Sequence, residues 1–214
     1  MVILHYTAMA TAKAALARLC DPMAEVSAHY LIAEDGQIWA LVAEDRRAWH
    51  AGVAGWGAVR DVNSHSIGIE LANPGTHPFA EPQMQALEDL LGAILARWQI
   101  APERVVGHAC IAPGRKIDPG PRFDWRRLAR AGLAVWLDPE EAHTTASFHD
   151  SARRFGYPLE GDGWDESAQA VWQSFTERFL PAHTPPPGAP WAVAHLARLA
   201  ARWPVALDRA RTTP

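Results

Sequence analysis

Cysteine is scarce in this chain, which holds only Cys20 and Cys110 among its 214 residues. Two cysteines cannot build the disulfide framework of a small secreted domain. The sequence also has no apolar run near the roughly 20 residues that a membrane-spanning helix needs. Because the formal net charge is −4, there is no basic excess, and the composition gives no reason to expect a nucleic-acid partner.

A signal peptide is also missing from the sequence, since Met1 leads directly into Val2-Ile3-Leu4-His5. This apolar segment is far too short for the hydrophobic region of a secretory signal. As the sequence stands, we therefore expect a cytoplasmic protein. A truncated N-terminus would instead fit a protein of the periplasm or the outer membrane.

The elements that the sequence does contain predict an α/β domain followed by short helices. Hydrophobic residues make up 49% of the chain, enough to bury a core. Strands are predicted at 2–5, 29–32, 37–41, 66–71 and 104–106, and helices at 11–20, at 82–98 and from Asp124 onward. Thr7 or Thr11 is expected to cap the first helix, and Asp124 the last of these. After 137–139 the composition changes, and three helices are predicted at about 145–155, 165–179 and 191–202.

The segment from Gly107 to Gly120 places His108, Lys116 and Asp118 in a short loop after an apolar strand. Loops that follow a rigid strand often carry binding and catalytic groups. With His5 at the end of the first strand, these residues predict a zinc site of two histidines and one carboxylate, with an open fourth position. Three alternatives stay open: His5 as an edge histidine, Asp118 as a turn residue, and Cys110 as a ligand or nucleophile instead of a buried thiol.

Glu70 lies on the apolar strand 66–71, where a carboxylate is costly to bury unless it is paired or functional. A glutamate with a raised pKa beside zinc is suited to act as general base and then as general acid. Lys116 is placed to stabilise a developing oxyanion. The alternative is a solvated glutamate at a strand end.

A long irregular segment at 44–64 contains Trp49 and Trp56. A loop of this length in a compact domain is more often functional than idle. Scattered tryptophans are usually core residues, and the alternative for these two is that they offer stacking faces to a ligand.

Five motifs, in order, resemble those of the type-2 N-acetylmuramoyl-L-alanine amidases, a family related to the peptidoglycan recognition proteins and phage T7 lysozyme. The resemblance covers residues 1 to about 130. The last motif runs from His108 to Asp118 and continues through Pro119-Gly120-Pro121 and Phe123-Asp124-Trp125. The other four are Ile3-Leu4-His5-Tyr6-Thr7, Val26-Ser27-Ala28-His29-Tyr30-Leu31-Ile32, Ala48-Trp49-His50-Ala51-Gly52, and Asn63 with Ser66-Ile67-Gly68-Ile69-Glu70-Leu71.

This resemblance implies a mixed central β-sheet flanked by helices, with a zinc cleft on one face. It implies that His5, His108 and Asp118 bind Zn²⁺ and that Glu70 and Lys116 are catalytic. The implied reaction is hydrolysis of the amide between N-acetylmuramic acid and L-alanine of the stem peptide, so peptidoglycan fragments, including anhydro-muropeptides, are the expected partners. The residues implied to line the muropeptide cleft are His29, Trp49, His50, Asn63 and Arg115.

The second half of the chain resembles the C-terminal helical peptidoglycan-binding-like domain of some members of this family. We therefore expect a catalytic domain at 1–138 and a small three-helix domain at 143–214 that leans on the first. A helical cap without affinity for glycan is the alternative reading of this domain.

Two other functions stay open at this point. A non-catalytic peptidoglycan-recognition module would be expected to lack a metal ligand, whereas all three positions are filled here. A zinc hydrolase of another acyl-amino-acid amide would share every catalytic residue. The sequence leaves undecided the third residue of the stem peptide, the need for an anhydro sugar, and the oligomeric state.

Overall fold

The computed structural model describes residues 1–140 and 142–205, which fold around one five-stranded sheet. The strands are β1 (Val2–Tyr6), β2 (Tyr30–Ile32), β3 (Ile38–Ala40), β4 (Ile67–Leu71) and β5 (Val105–Gly107). Their order is β3-β2-β4-β1-β5. The pairs β2–β4, β4–β1 and β1–β5 are parallel, and β3 runs antiparallel to β2. The predicted mixed sheet is therefore confirmed.

Seven helices surround this sheet in the described part of the chain. They are α1 (Ala12–Leu19), α2 (Glu81–Trp98), α3 (His108–Ile111), α4 (Trp125–Arg130), α5 (Phe148–Phe155), α6 (Glu166–Phe179) and α7 (Pro190–Arg202). Short 3-10 turns cover Pro22–Ala24, Val62–Ser64 and Pro102–Arg104. Two predicted caps are confirmed: the Thr11 hydroxyl accepts from the Ala14 amide at 3.1 Å, and Asp124 accepts from the Arg127 amide at 2.9 Å.

Helix α3 was not predicted, because residues 107–120 read as one loop broken by proline and glycine. The structure instead begins a short helix at His108, in which the Ala112 amide donates to the His108 carbonyl at 3.0 Å. The loop prediction is thus wrong for the first residues of this segment. As a result, His108 is held by regular backbone structure at the end of β5.

One face of the sheet packs against α2 and α4. Alternate residues of β1, Val2 and Leu4, point to this face and join a cluster with Leu87 and Leu91 of α2. Since successive strand residues point to opposite faces, Ile3 and His5 lie on the other side. The functional side chains of β1 are therefore on the face opposite α2.

The opposite face is covered by the three C-terminal helices. Ile3 of β1 and Val106 of β5 share a hydrophobic cluster with Phe155, Phe175 and Phe179. Burial of a phenylalanine side chain contributes about 1.5–3 kcal/mol. The sheet and these helices therefore stabilise each other across the predicted boundary near residue 138. Residues 206–214 of the predicted second domain lie outside the described residues. The affinity of this domain for glycan stays a prediction.

Trp56 is a core residue, and the alternative that it offers a stacking face to a ligand is wrong. Its side chain is fully buried, in edge-to-face contact with Phe155 at 5.7 Å and Tyr157 at 5.3 Å between ring centroids. The backbone beside it is tied down as well, since the Gly57 amide donates to the Gly156 carbonyl at 2.8 Å. Trp56 thus anchors the long loop 44–64 to the C-terminal helices, whereas Trp49 in the same loop is 55% exposed.

No helix within residues 1–140 and 142–205 has the length and hydrophobicity to cross a membrane.

His195 on α7 generates a prediction about stability and pH. The side chain is fully buried and neither ring nitrogen has a hydrogen-bond partner. Burial, with a smaller contribution from Arg198, lowers the pKa of His195 from 6.5 to about 4. Between these values the unfolded chain binds a proton that the folded chain does not, so stability falls as the pH falls through this window. The loss amounts to about 3 kcal/mol at most.

We expect His195→Leu to remove this part of the pH dependence and to raise the free energy of unfolding at pH 7 by about 1 kcal/mol, because two unpaired polar atoms disappear. Urea unfolding at pH 7, 5.5 and 4 measures both effects. His183→Leu, at an exposed position, is the matched control. Parallel pH profiles for the His195→Leu variant and the unaltered protein would refute the prediction.

Candidate metal centre and active site

The strand register brings the predicted catalytic and metal-binding residues to one edge of the sheet. His5 on β1 is the direct partner of Glu70 on β4. On the other side of β1, Leu4 is the partner of Gly107, so His108 follows where β5 ends. Because the three strands are parallel, their carboxyl ends lie together, and Glu70, His5 and His108 stand in a row.

Asp118 completes this group by returning to the start of α3. The Ala109 amide donates to the Asp118 carbonyl at 2.8 Å. This close approach requires glycine at Gly107, because a Cβ atom there would lie 2.7 Å from Cδ of Pro119. The nine residues between His108 and Asp118 thus form a loop that returns to its starting point and brings both side chains together.

Three ligand atoms meet there. His5 Nδ1 lies 3.0 Å from His108 Nδ1 and 2.9 Å from Asp118 Oδ2, and His108 Nδ1 lies 3.1 Å from the same oxygen. All three side chains are buried, and the group could hold a metal ion. The structure therefore brings together the three residues that the sequence predicted as metal ligands.

The protonation states of these groups suit the binding of a cation. Burial, with the charge of His108 next, lowers the pKa of His5 to about 4, so its imidazole is neutral near pH 7. Burial alone would raise the pKa of Asp118, but the adjacent His108 and His5 rings hold it well below its ordinary value. A neutral imidazole and an anionic carboxylate are the protonation states that metal binding requires.

Glu70 is the catalytic candidate beside this centre. Its Oε2 atom is buried and has no hydrogen-bond partner. Burial and the nearby Asp118 carboxylate raise the pKa of Glu70 to about 8, while the charge of Lys116 opposes the shift. A carboxyl group poised near neutral pH suits proton transfer, and the raised pKa agrees with the sequence-based expectation.

These residues open into a cleft of about 530 Å³. Trp49, His50, Arg115 and Lys116 line it, together with the three candidate ligands and Glu70, and substrate contact by these residues stays a prediction. The guanidinium of Arg115 also donates to the carbonyls of Ala51 and Val53, at 2.6 Å each. The cleft further contains Tyr6, Arg18 and Ser27, which the sequence analysis missed. Tyr6 ends β1, Arg18 lies on α1 and Ser27 precedes β2, so only the folded structure shows that they share the cleft.

His29 and Asn63 lie behind the cleft wall. Both ring nitrogens of His29 are engaged, since Nδ1 accepts from the Gly68 amide at 2.9 Å and Nε2 donates to the Arg46 carbonyl at 3.0 Å. Asn63 Oδ1 accepts from the amides of His50 and Ala51. Neither residue is among those that line the cleft, and the prediction that they contact substrate stays a prediction.

Helix α6 supports the segment that carries His108. The Ser174 hydroxyl donates to the Ala109 carbonyl at 2.9 Å, and the buried Arg178 donates to the Val105 carbonyl at 3.1 Å. Cys110 is buried beside Arg178 and Tyr157, away from the three converging ligand atoms. The reading of Cys110 as a small buried thiol is therefore favoured over a ligand or nucleophile.

A three-ligand metal centre with a buried carboxylate at its side is the arrangement of a hydrolytic metalloenzyme. Residues 1–121 match the family model described as N-acetylmuramoyl-L-alanine amidase. The N-acetylmuramoyl-L-alanine amidase AmiD of Escherichia coli is 38% identical over 209 residues, which cover 85% of this chain and 75% of AmiD. The chain belongs to the N-acetylmuramoyl-L-alanine amidase family.

Solved structures extend the similarity over nearly the whole chain. The complex of Escherichia coli AmiD with anhydro-N-acetylmuramic acid-L-Ala-D-gamma-Glu-L-Lys has a TM-score of 0.86 at 34% identity, covering 95% of this chain and 89% of that one. AmpDh3 of Pseudomonas aeruginosa, in complex with anhydromuramic pentapeptide, has a TM-score of 0.84 at 31% identity, covering 95% and 92%. By contrast, the 1,6-anhydro-N-acetylmuramyl-L-alanine amidase AmpD of Citrobacter freundii, 45% identical over 103 residues, matches 48% of this chain and 55% of its own length.

Gly68 on β4 generates a prediction about the packing of this site. A Cβ atom at Gly68 would lie 2.4 Å from Cγ of His50, so the ring would have to move. We expect Gly68→Ala to lower the free energy of unfolding by about 1–3 kcal/mol, as overpacking does. Urea unfolding measures this change.

Gly92→Ala on α2 is the control, because its added Cβ would meet only Leu133 Cδ2, at an ordinary 3.7 Å. That substitution should stabilise the protein by up to about 1 kcal/mol through helix propensity. If Gly68→Ala and the unaltered chain have the same free energy of unfolding, the packing of the His50 ring does not depend on the absence of a Cβ atom at Gly68.

Proposed function

We propose that this protein is a zinc-dependent amidase that cleaves the bond between N-acetylmuramic acid, or its anhydro form, and L-alanine of peptidoglycan stem peptides, in recycling or turnover of the cell wall. The observation that carries the proposal is the unpaired Glu70 carboxyl beside three converging ligand atoms in an open cleft. The AmiD and AmpDh3 structures, which this chain resembles over 95% of its length, hold anhydro-muramyl peptides.

His5, His108 and Asp118 would hold the zinc ion. Two imidazole nitrogens and one carboxylate oxygen are donors that suit Zn²⁺, and they leave a position open for water or substrate. When bound, zinc supplies Lewis-acid polarisation of the scissile carbonyl and lowers the pKa of water toward neutrality. The fit rests on the burial and convergence of the donors in this chain.

Glu70 would move the proton. Its carboxylate form accepts a proton from the attacking water, and the resulting carboxylic acid returns that proton to the departing amine of L-alanine. The C–N bond then breaks, leaving the lactyl carboxylate and a free stem peptide. A pKa raised by burial allows Glu70 to perform both steps near neutral pH.

Lys116 and Trp49 would act on the substrate. Lys116 lines the cleft, and its positive charge acts on both Glu70 and His5, where it favours the anionic form of Glu70 and the neutral form of His5. The same charge would stabilise the negative charge that develops on the carbonyl oxygen. Trp49 presents an exposed ring at the cleft wall and offers an apolar face to the sugar or the peptide.

A non-catalytic peptidoglycan-recognition module is the second candidate, and the geometry disfavours it. Such a module gains nothing from a buried carboxyl with a raised pKa next to a complete set of metal ligands. A buried polar atom without a partner costs about 1–3 kcal/mol, which a binding site has no reason to keep.

Incubation of the purified protein with a soluble anhydro-muropeptide, followed by mass spectrometry, tests the function. We expect release of free stem peptide, loss of this release on chelation, and recovery when zinc is returned. Cleavage of intact sacculi alone would restrict the substrate to polymeric peptidoglycan. Cleavage of neither substrate by zinc-loaded protein would refute the proposal and favour the recognition module or another amide.

Substitution of Glu70 separates catalysis from metal binding. Glu70→Gln keeps the shape of the side chain but cannot accept the proton, so we expect turnover to fall by about 10²–10⁴-fold while one zinc ion per chain is retained. Stem-peptide release and zinc content measure the two quantities. Undiminished turnover would remove Glu70 from the mechanism. Loss of zinc together with activity would assign Glu70 a role in binding the metal.

A further inference from the structure

We propose that the backbone and side chains at His50 and Ala51 form a second coordination shell that orients both metal histidines and sets their tautomers, with Asn63 and Ser66 as positioning residues. This inference rests on the proposed metal function. His50 supports His5, and Ala51 supports His108, so two adjacent residues serve both ligands.

The support of His108 is determined by a backbone carbonyl. His108 Nε2 lies 2.9 Å from the Ala51 oxygen, and a carbonyl can only accept a hydrogen bond. Nε2 of His108 therefore carries the proton, and in the neutral ring Nδ1 keeps its lone pair. That lone pair faces Asp118, in the direction that metal binding requires.

The support of His5 follows from a relay of three hydrogen bonds. The Ser66 hydroxyl donates to the Val62 carbonyl at 2.6 Å, so its oxygen is left as acceptor for His50 Nε2 at 3.3 Å. With its proton on Nε2, neutral His50 accepts at Nδ1 from His5 Nε2 at 3.0 Å. His5 Nδ1 then also keeps a lone pair that faces Asp118.

Asn63 holds the two supporting residues in place. Its side-chain oxygen accepts from the amides of His50 at 3.1 Å and of Ala51 at 2.9 Å, and the residue is 8% exposed. One buried amide oxygen thereby fixes the dipeptide on which both histidines depend. Because both nitrogens of His50 are used in the relay, His50 has no polar atom left for the substrate and acts as a positioning residue.

In these tautomers two imidazole lone pairs and a carboxylate oxygen converge within 2.9–3.1 Å of one another. The second shell therefore preorganises three donor atoms for a metal ion. Loss of second-shell partners in metal sites typically weakens metal binding 10- to 100-fold.

The test is zinc affinity, measured by competition with a chelating chromophore on the full chain. We expect Asn63→Leu, which removes the acceptor, to weaken zinc binding by about 10- to 100-fold, and Asn63→Asp, which keeps an oxygen at the same place, to restore most of it. His50→Leu and His50→Asn form a second pair, because asparagine can keep an acceptor oxygen near the position of Nδ1. Ser66→Ala deletes one hydroxyl and provides a variant with little effect on packing.

A spectroscopic readout distinguishes this role from a general loss of structure. Long-range ¹H–¹⁵N NMR of the zinc-loaded protein should show His5 and His108 protonated at Nε2. His50→Leu should alter the His5 signals and leave those of His108 in place, whereas Asn63→Leu should alter both.

Two negative outcomes have separate meanings. Failure of the unaltered protein to bind zinc would overturn the proposed function. Tight zinc binding by the unaltered protein, with equal affinity in Asn63→Leu, His50→Leu and Ser66→Ala, would overturn this inference alone. Protonation of either ring at Nδ1 in the zinc-loaded protein would also overturn it.

Discussion

Parallel pairing of β4, β1 and β5 is the constraint on which the site depends. It places Glu70 directly beside His5 and ends β5 one residue before His108. A shift of one residue along any of these strands would turn the corresponding side chain to the other face of the sheet. The register itself is held by alternation, because Val2 and Leu4 must face α2 while Ile3 must face the C-terminal helices. The packing of the core thereby determines the geometry of the active site.

The C-terminal helices shape the site as much as the sheet does. Phe155, Phe175 and Phe179 cover the sheet face that carries His5, and Trp56 ties the cleft loop into the same cluster. From α6, Ser174 and Arg178 hydrogen-bond to carbonyls on either side of His108. The second half of the chain thus holds the candidate metal ligands in place, whether or not it also binds glycan.

Electrostatics at the centre follow from this packing. Burial keeps His5 neutral and raises the pKa of Glu70, and Asp118 stays anionic beside them. The same low-polarity surroundings make each missing hydrogen bond costly, which is why the outer nitrogens of both metal histidines have partners. One set of contacts therefore stabilises the fold and sets the protonation states of the site.

The sequence by itself determined the five strands, every helix except α3, two helix caps, and the identity of the metal-binding and catalytic candidates, because periodicity, capping and motif spacing can be read from the chain alone. It could not show that Trp56 is buried, that His108 begins a helix, or that His50 hydrogen-bonds to His5 and Asn63 to the backbone of His50. Those contacts depend on side chains that are far apart in the chain, such as Trp56 and Phe155. Only the tertiary structure decides such contacts, since the packing of both sheet faces selects which distant groups meet and which hydrogen bonds remain for them to make.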